Sequence, residues 1–120
     1  MAIDKTAVIG FPVDHSLSPI IHNHWIKELA LDIKPYEKLN VDPNMFDEQM
    51  NNLKAKGFGG INVTVPLKEL AFNISDETSN VSKKLRSANT LTLSSDKINA
   101  DNTDAVGFIN SLEKKTIEEN

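Results

Sequence analysis

The apolar positions come in short runs whose period changes along the chain. Thr6-Ala7-Val8-Ile9, closed by Gly10, has the pattern of a buried first strand. Ser18-Pro19 pairs a helix-capping residue with proline at the first helical position, and Ile21, Trp25, Ile26 and Leu29 follow at helical spacing. A helix over residues 19–30 is predicted, with Trp25 in the core. Residues 35–41 read as a second strand, placed at a sheet edge by their proline and charges. Asp42-Pro43 repeats the cap signal, Phe46, Met50 and Leu53 mark one face of a second helix, and Gly57 stops it.

Ile61, Val63 and Val65 alternate with Asn62 and Thr64, the period of a strand over residues 60–65. Pro66 has no amide to donate, so the strand should stop there, with Thr64 and Lys68 at its C-terminal end. In open α/β sheets that end is where ligands bind. Residues 67–74 read as a short helical piece and residues 75–85 as polar, mostly helical or irregular chain. Residues 90–93 and 97–100 look like two strands joined at Ser95-Asp96. Asp101-Asn102-Thr103 then caps a last helix carrying Val106, Ile109 and Leu112. From Glu113 the periodicity is lost, so residues 1–112 are expected to form one domain and 113–120 the start of a linker or a frayed tail. Strands alternating with helices predict an α/β fold: a mainly parallel sheet with one antiparallel strand and helices on both faces.

Composition narrows the function by exclusion. The 120 residues suffice for one domain with a real core, and the net charge of −4 gives no general attraction to nucleic acid or to anionic membranes. No apolar run spans a bilayer and no signal-peptide core opens the chain, so a cytoplasmic location is expected. The absence of cysteine removes disulfide, thiol and Cys–metal chemistry. His22 and His24, two apart on a helix, do not share a face as metal ligands do, so no metal is expected and both have surface or packing roles. Gly57-Phe58-Gly59-Gly60 precedes a strand instead of following one, and so fails as a dinucleotide fingerprint.

Four polar clusters remain. In His15-Ser16-Leu17-Ser18-Pro19, two serine hydroxyls beside a helix start are what a carboxylate needs, although for Ser18 alone an N-cap is the readier reading. Asn62-Val63-Thr64-Val65-Pro66-Leu67-Lys68 offers an acid/base lysine, or a buried strand followed by a solvated one. Asn89, in Ser87-Ala88-Asn89-Thr90, can bind a ligand hydroxyl or make an Asx-turn. Asp101-Asn102-Thr103-Asp104 is a helix cap by composition, and the helix dipole would keep Asp104 ionised. Near Lys68, that carboxylate would keep the ammonium charged and aimed.

In this order and spacing the clusters, with Ala7-Val8-Ile9-Gly10, Pro12, Asn89-Thr90-Leu91 and Gly107-Phe108, resemble the N-terminal substrate-binding domain of shikimate dehydrogenase. The resemblance runs from about residue 7 to 112. It implies the reversible conversion of 3-dehydroshikimate and NADPH to shikimate and NADP+, in aromatic amino acid biosynthesis by way of chorismate. It implies that Ser16 and Ser18 hold the substrate carboxylate with Thr64 close by, and that Asn89 and Asp104 bind ring hydroxyls. Lys68 would be the general acid/base and Asp104 its partner. Two stretches depart from the family pattern. Arg86-Ser87-Ala88 stands where Gly-Ala-Val is usual, and Ala100 stands where a glycine is usual. The family's second domain binds NADP, and it is expected to act here in cis or in trans, since these residues alone offer no evident hydride source. A non-catalytic binding module for a hydroxylated cyclic carboxylate, shikimate or quinate, is the alternative.

Overall fold

The computed structural model describes residues 5–14, 16, 18–30, 34–94, 96–104 and 112, with Ser18 described by its backbone alone. Their elements are β1 (Lys5–Gly10), α1 (Ser18–Glu28), β2 (Glu37–Asn40), a 3-10 turn (Pro43–Met45), α2 (Phe46–Ala55), β3 (Phe58–Val63), α3 (Lys68–Asn73), β4 (Glu77–Thr78), α4 (Asn80–Leu85), β5 (Thr90–Leu93) and β6 (Ile98–Asp101). The six strands form one sheet in the order β2-β1-β3-β5-β6-β4. β1 is parallel to both β2 and β3, and β4 is parallel to β6. β5 runs against both of its neighbours, so it is the one antiparallel strand. β2 lies at a sheet edge, as expected, with its charged residues Glu37 and Lys38 there and Pro35 just outside it.

Side-chain alternation divides the sheet into two faces. Ala7 and Ile9 of β1 join Ile61, Val63, Leu91 and Ala100 beneath Phe46, Met50 and Leu53 of α2 and Ala71 of α3. Val8 points the other way, into a small cluster with Val13, Tyr36 and Ile26 of α1. Helices therefore cover both faces. Phe58 lies three residues before Ile61 yet shares its face, because the β1–β3 register slips between Lys5, opposite Phe58, and Thr6, opposite Gly60. That bulge inserts Gly59 and restores the alternation. Gly57, with φ of +90°, ends α2 as expected, its amide donating to the Lys54 carbonyl.

Three expectations are corrected. β3 covers residues 58–63, not 60–65, and Val65 is 68% exposed. The chain leaves the strand at Thr64 to make a turn, closed by the Leu67 amide donating to the Thr64 carbonyl, that sets up α3. Trp25 is 51% exposed and Leu29 66%, so neither is core. α1 instead turns His22, Asn23 and Ile26 inward, because Tyr36 offers polar and aromatic partners to the first two. Residues 75–85 contain a strand, β4, too short to have a period. It is fixed by the Asp76 amide donating to the Ile98 carbonyl and the Ser79 amide donating to Ala100. The predicted helix with Val106 and Ile109, and the boundary at 113, lie outside the described residues.

Arg86 ends α4 in the left-handed region, at φ of +51°. The pattern that the sequence resembles has glycine at this position, and a left-handed conformation suits glycine. A side chain in that region costs about 1–2 kcal/mol, partly offset by glycine's larger loss of freedom on folding. Arg86→Gly is expected to raise unfolding stability by about 0.5–1 kcal/mol in urea titration, unlike ordinary glycine substitutions. Ala100 needs no such freedom, since it is an ordinary buried strand residue opposite Leu91.

Candidate functional site

β1 and β3 end side by side, and a cleft of about 600 Å³ opens at their C-terminal ends. Ser16, Thr64, Lys68, Asn89 and Asp104 all line it, so residues scattered over the sequence meet at one place. The side chain of Ser18, along with His15 and Leu17, lies outside the described residues.

Thr64, Lys68, Asn89 and Asp104 each have a structural anchor. Thr64 leaves β3 with its amide donating to the Ile9 carbonyl at 3.0 Å. Its methyl carbon lies 2.6 Å from where a Cβ on Gly10 would stand, so only glycine at residue 10 leaves Thr64 in place. Lys68 opens α3 directly after Leu67, whose side chain is fully buried. The Lys68 carbonyl accepts from the Ala88 amide at 2.9 Å, which ties α3 to the turn that precedes Asn89.

The Lys68 Nζ donates to Asp104 Oδ2 at 2.7 Å. Asp104 is held from behind. Its amide donates to Oδ1 of Asn102, which is buried, and Asn102 Nδ2 donates to the Ser87 carbonyl. Asn102 thus fastens the loop after β6 to the turn before β5. Asn89 completes the network. Its Nδ2 donates to Thr103 Oγ1 and Asp104 Oδ1, both at 2.9 Å, while its Oδ1 accepts from the Thr90 hydroxyl and the Thr103 amide. An Asn side chain has two donor hydrogens and two acceptor lone pairs, so Asn89 is fully engaged within the protein.

The hydrogen bond from Lys68, with help from Asn89 and the Lys68 charge, holds the Asp104 carboxyl below its ordinary value of 3.8, against a smaller opposing effect of burial. A carboxylate depressed in the folded state contributes stability that is full above the unfolded value and lost as pH falls through the folded one. The window is therefore below about pH 4. Titration of the Asp104 carboxyl carbon by NMR is expected to give a midpoint below 3.8, rising in Lys68→Ala. An unmoved midpoint in that variant contradicts the assignment of cause.

Two further polar residues line the cleft that the sequence did not single out as site residues. Asn62 stands opposite Val8 on the α1 side of the sheet, the face away from Ile61 and Val63. The signal was present in the alternation, which placed a polar side chain on the less covered face. His22 packs against Tyr36 at 4.3 Å between ring centroids, the packing role expected of it, and also reaches the cleft.

The cleft thus combines an amine, a carboxylate, amides and hydroxyls, a set suited to a small polyhydroxylated ligand. Among the described residues no group of His, Cys, Asp or Glu could hold a metal ion. Gly57–Gly60 leads into and forms β3, so it makes no phosphate cradle between a strand and a helix. None of the described helices is long and apolar enough to cross a membrane.

The chain matches the family model described as "Shikimate dehydrogenase substrate binding domain" over residues 8–91. A shikimate dehydrogenase (NADP(+)) of Methylocella silvestris is 40% identical over 113 residues, covering 94% of this chain and 40% of the relative. The crystal structure of shikimate dehydrogenase from Aquifex aeolicus superposes with a TM-score of 0.84 at 35% identity, covering 92% of this chain and 41% of that one. The shikimate 5-dehydrogenase of Thermus thermophilus, solved with NADP(H) and shikimate, gives a TM-score of 0.83 at 31% identity, covering 94% and 42%. The chain spans about 40% of the length of the curated relatives it matches.

Proposed function

The chain belongs to the shikimate dehydrogenase substrate binding domain family, and from that premise we propose that its cleft binds shikimate or 3-dehydroshikimate and supplies the proton of their interconversion. The observation that carries this reading is the 2.7 Å contact between Lys68 Nζ and Asp104 Oδ2 at the cleft wall.

The roles follow from charge and hydrogen-bonding capacity. Ser16 and Ser18 hold the substrate carboxylate, with Thr64 beside them. Asp104 accepts from a ring hydroxyl through its exposed lone pairs while its Oδ2 keeps Lys68 aimed. Asn89 is internally saturated, so a ring hydroxyl that it binds replaces one of its bonds to Thr103 or Asp104. Reduction of a ketone puts negative charge on the carbonyl oxygen as hydride reaches the carbon. Lys68 Nζ gives a proton to that oxygen, and in the reverse direction takes it from the hydroxyl.

The hydride is NADPH's contribution. The described residues do not fit a dinucleotide, so NADP is assigned to a second domain acting in cis or in trans, beyond a substrate domain of residues 1–112. A cytoplasmic setting, where NADP-linked biosynthesis runs, goes with this reading.

The test is reconstitution. The chain alone is expected to show no NADP+-dependent oxidation of shikimate, and joining it to the nucleotide-binding part of the Aquifex aeolicus relative is expected to produce it. Turnover by the chain alone overturns the division of labour. A joined protein that folds and binds shikimate but never turns over leaves a binding module as the function.

A further inference from the structure

We propose that Tyr36 is a positioning residue, which fixes the Asn62 amide so that its nitrogen is left to donate to a ligand in the cleft. The inference rests on the reading of that cleft as a shikimate site.

Tyr36 stands just before β2 and is 6% exposed. Its backbone is clasped by one side chain of α1. Asn23 Oδ1 accepts from the Tyr36 amide at 2.6 Å, and Asn23 Nδ2 donates to the Tyr36 carbonyl at 3.1 Å. Its ring meets the edge of His22, also on α1, at 4.3 Å and 67° between planes. With backbone and ring both held, the phenol oxygen reaches Asn62 Oδ1 at 2.7 Å. A buried phenol needs a hydrogen-bond partner, and this one finds it on the cleft wall.

The contact places the amide oxygen of Asn62 against the phenol, and an amide oxygen accepts only, so the phenol donates. The Asn62 nitrogen, with two hydrogens to give, is then the end available to the cleft. Asn62 becomes a donor aimed at a ligand oxygen, complementing the acceptor Asp104 across the same cleft. α1 sets this polarity without supplying a catalytic group: it holds Tyr36, and Tyr36 holds Asn62.

The test is a double-mutant cycle on this chain, with shikimate as the ligand and amide NMR as the readout. Tyr36→Phe keeps the ring against His22 and removes only the hydroxyl. It is expected to weaken shikimate about 3- to 10-fold, the worth of one ordinary hydrogen bond. In an Asn62→Ala background the same substitution is expected to change nothing further. Equal losses in the two backgrounds would mean that Tyr36 acts on the fold at large, and would overturn the proposal. The ligand-free spectrum keeps this outcome separate from failure of the site reading. Tyr36→Phe is expected to move the side-chain amide pair of Asn62 while the backbone amides outside its neighbourhood stay in place. An unmoved pair overturns the positioning role even if shikimate binds. A moved pair in a chain that binds no shikimate upholds the Tyr36–Asn62 link and removes the ligand.

Discussion

Lys68→Ala, in a protein that joins this chain to a nucleotide-binding domain, is expected to lower turnover by about 10²–10⁴-fold, the usual worth of a positioned proton donor. Shikimate affinity is expected to fall much less. Removing the amine leaves Asp104 Oδ1 bonded to Asn89 and its amide bonded to Asn102, so the carboxylate keeps its place and its capacity to accept from the ligand. Lys68→Arg should be almost as slow, because a guanidinium keeps the charge but does not give up its proton. Steady-state kinetics set beside a binding titration separate the two effects. Comparable losses in turnover and affinity, or recovery of turnover by arginine, contradict an acid/base role.

Leu67→Ala is expected to be the most damaging single change to the fold among residues beside the site. Leu67 is fully buried in the main core and precedes the first residue of α3. Truncating such a side chain removes its transfer free energy and leaves a cavity, together about 2–5 kcal/mol. Against a total stability of about 5–15 kcal/mol, that is a large fraction. The same cavity frees the start of α3, so the Lys68–Asp104 contact should loosen and the Asp104 midpoint should rise. Urea unfolding and the carboxyl titration check both halves. A loss below about 1 kcal/mol, the centre of the range for all substitutions, contradicts the anchoring role.

Most of the fold could be read from the chain because the decisive signals were local. Proline after a cap residue, Gly57 in a left-handed turn and the alternation around Ile61 each determine structure within a few residues. What was illegible depends on partners far away in sequence. β4 has two residues and exists because β6 lies alongside it. The inward face of α1 was misassigned because its apolar residues outnumber the two polar ones that Tyr36 holds. The strand over 60–65 was drawn too late because the bulge at Gly59 shifts the phase of alternation, and because Pro66, taken to end the strand, lies inside the turn that Thr64 opens.

The site divides in the same way. Motif order picked out Ser16, Thr64, Lys68, Asn89 and Asp104, and all five line one cleft. Sequence spacing could not show that Lys68 and Asp104, 36 residues apart, touch. Nor could it show that Asn89 spends every hydrogen-bonding position on its neighbours, or that Asn102 is buried to brace them. Two near causes hold Asp104 ionised, the Lys68 amine first and the Asn89 amide second, while the helix whose dipole was expected to contribute lies outside the described residues.

The most direct test of the substrate site is a shikimate titration of this chain followed by amide NMR, beside Ser16→Ala. Saturable shifts are expected at Ser16, Asn62, Thr64, Lys68, Asn89 and Asp104, with weaker binding in the serine variant. A folded chain whose amides stay still up to millimolar shikimate, or shifts that gather away from the ends of β1 and β3, would contradict a preformed substrate site.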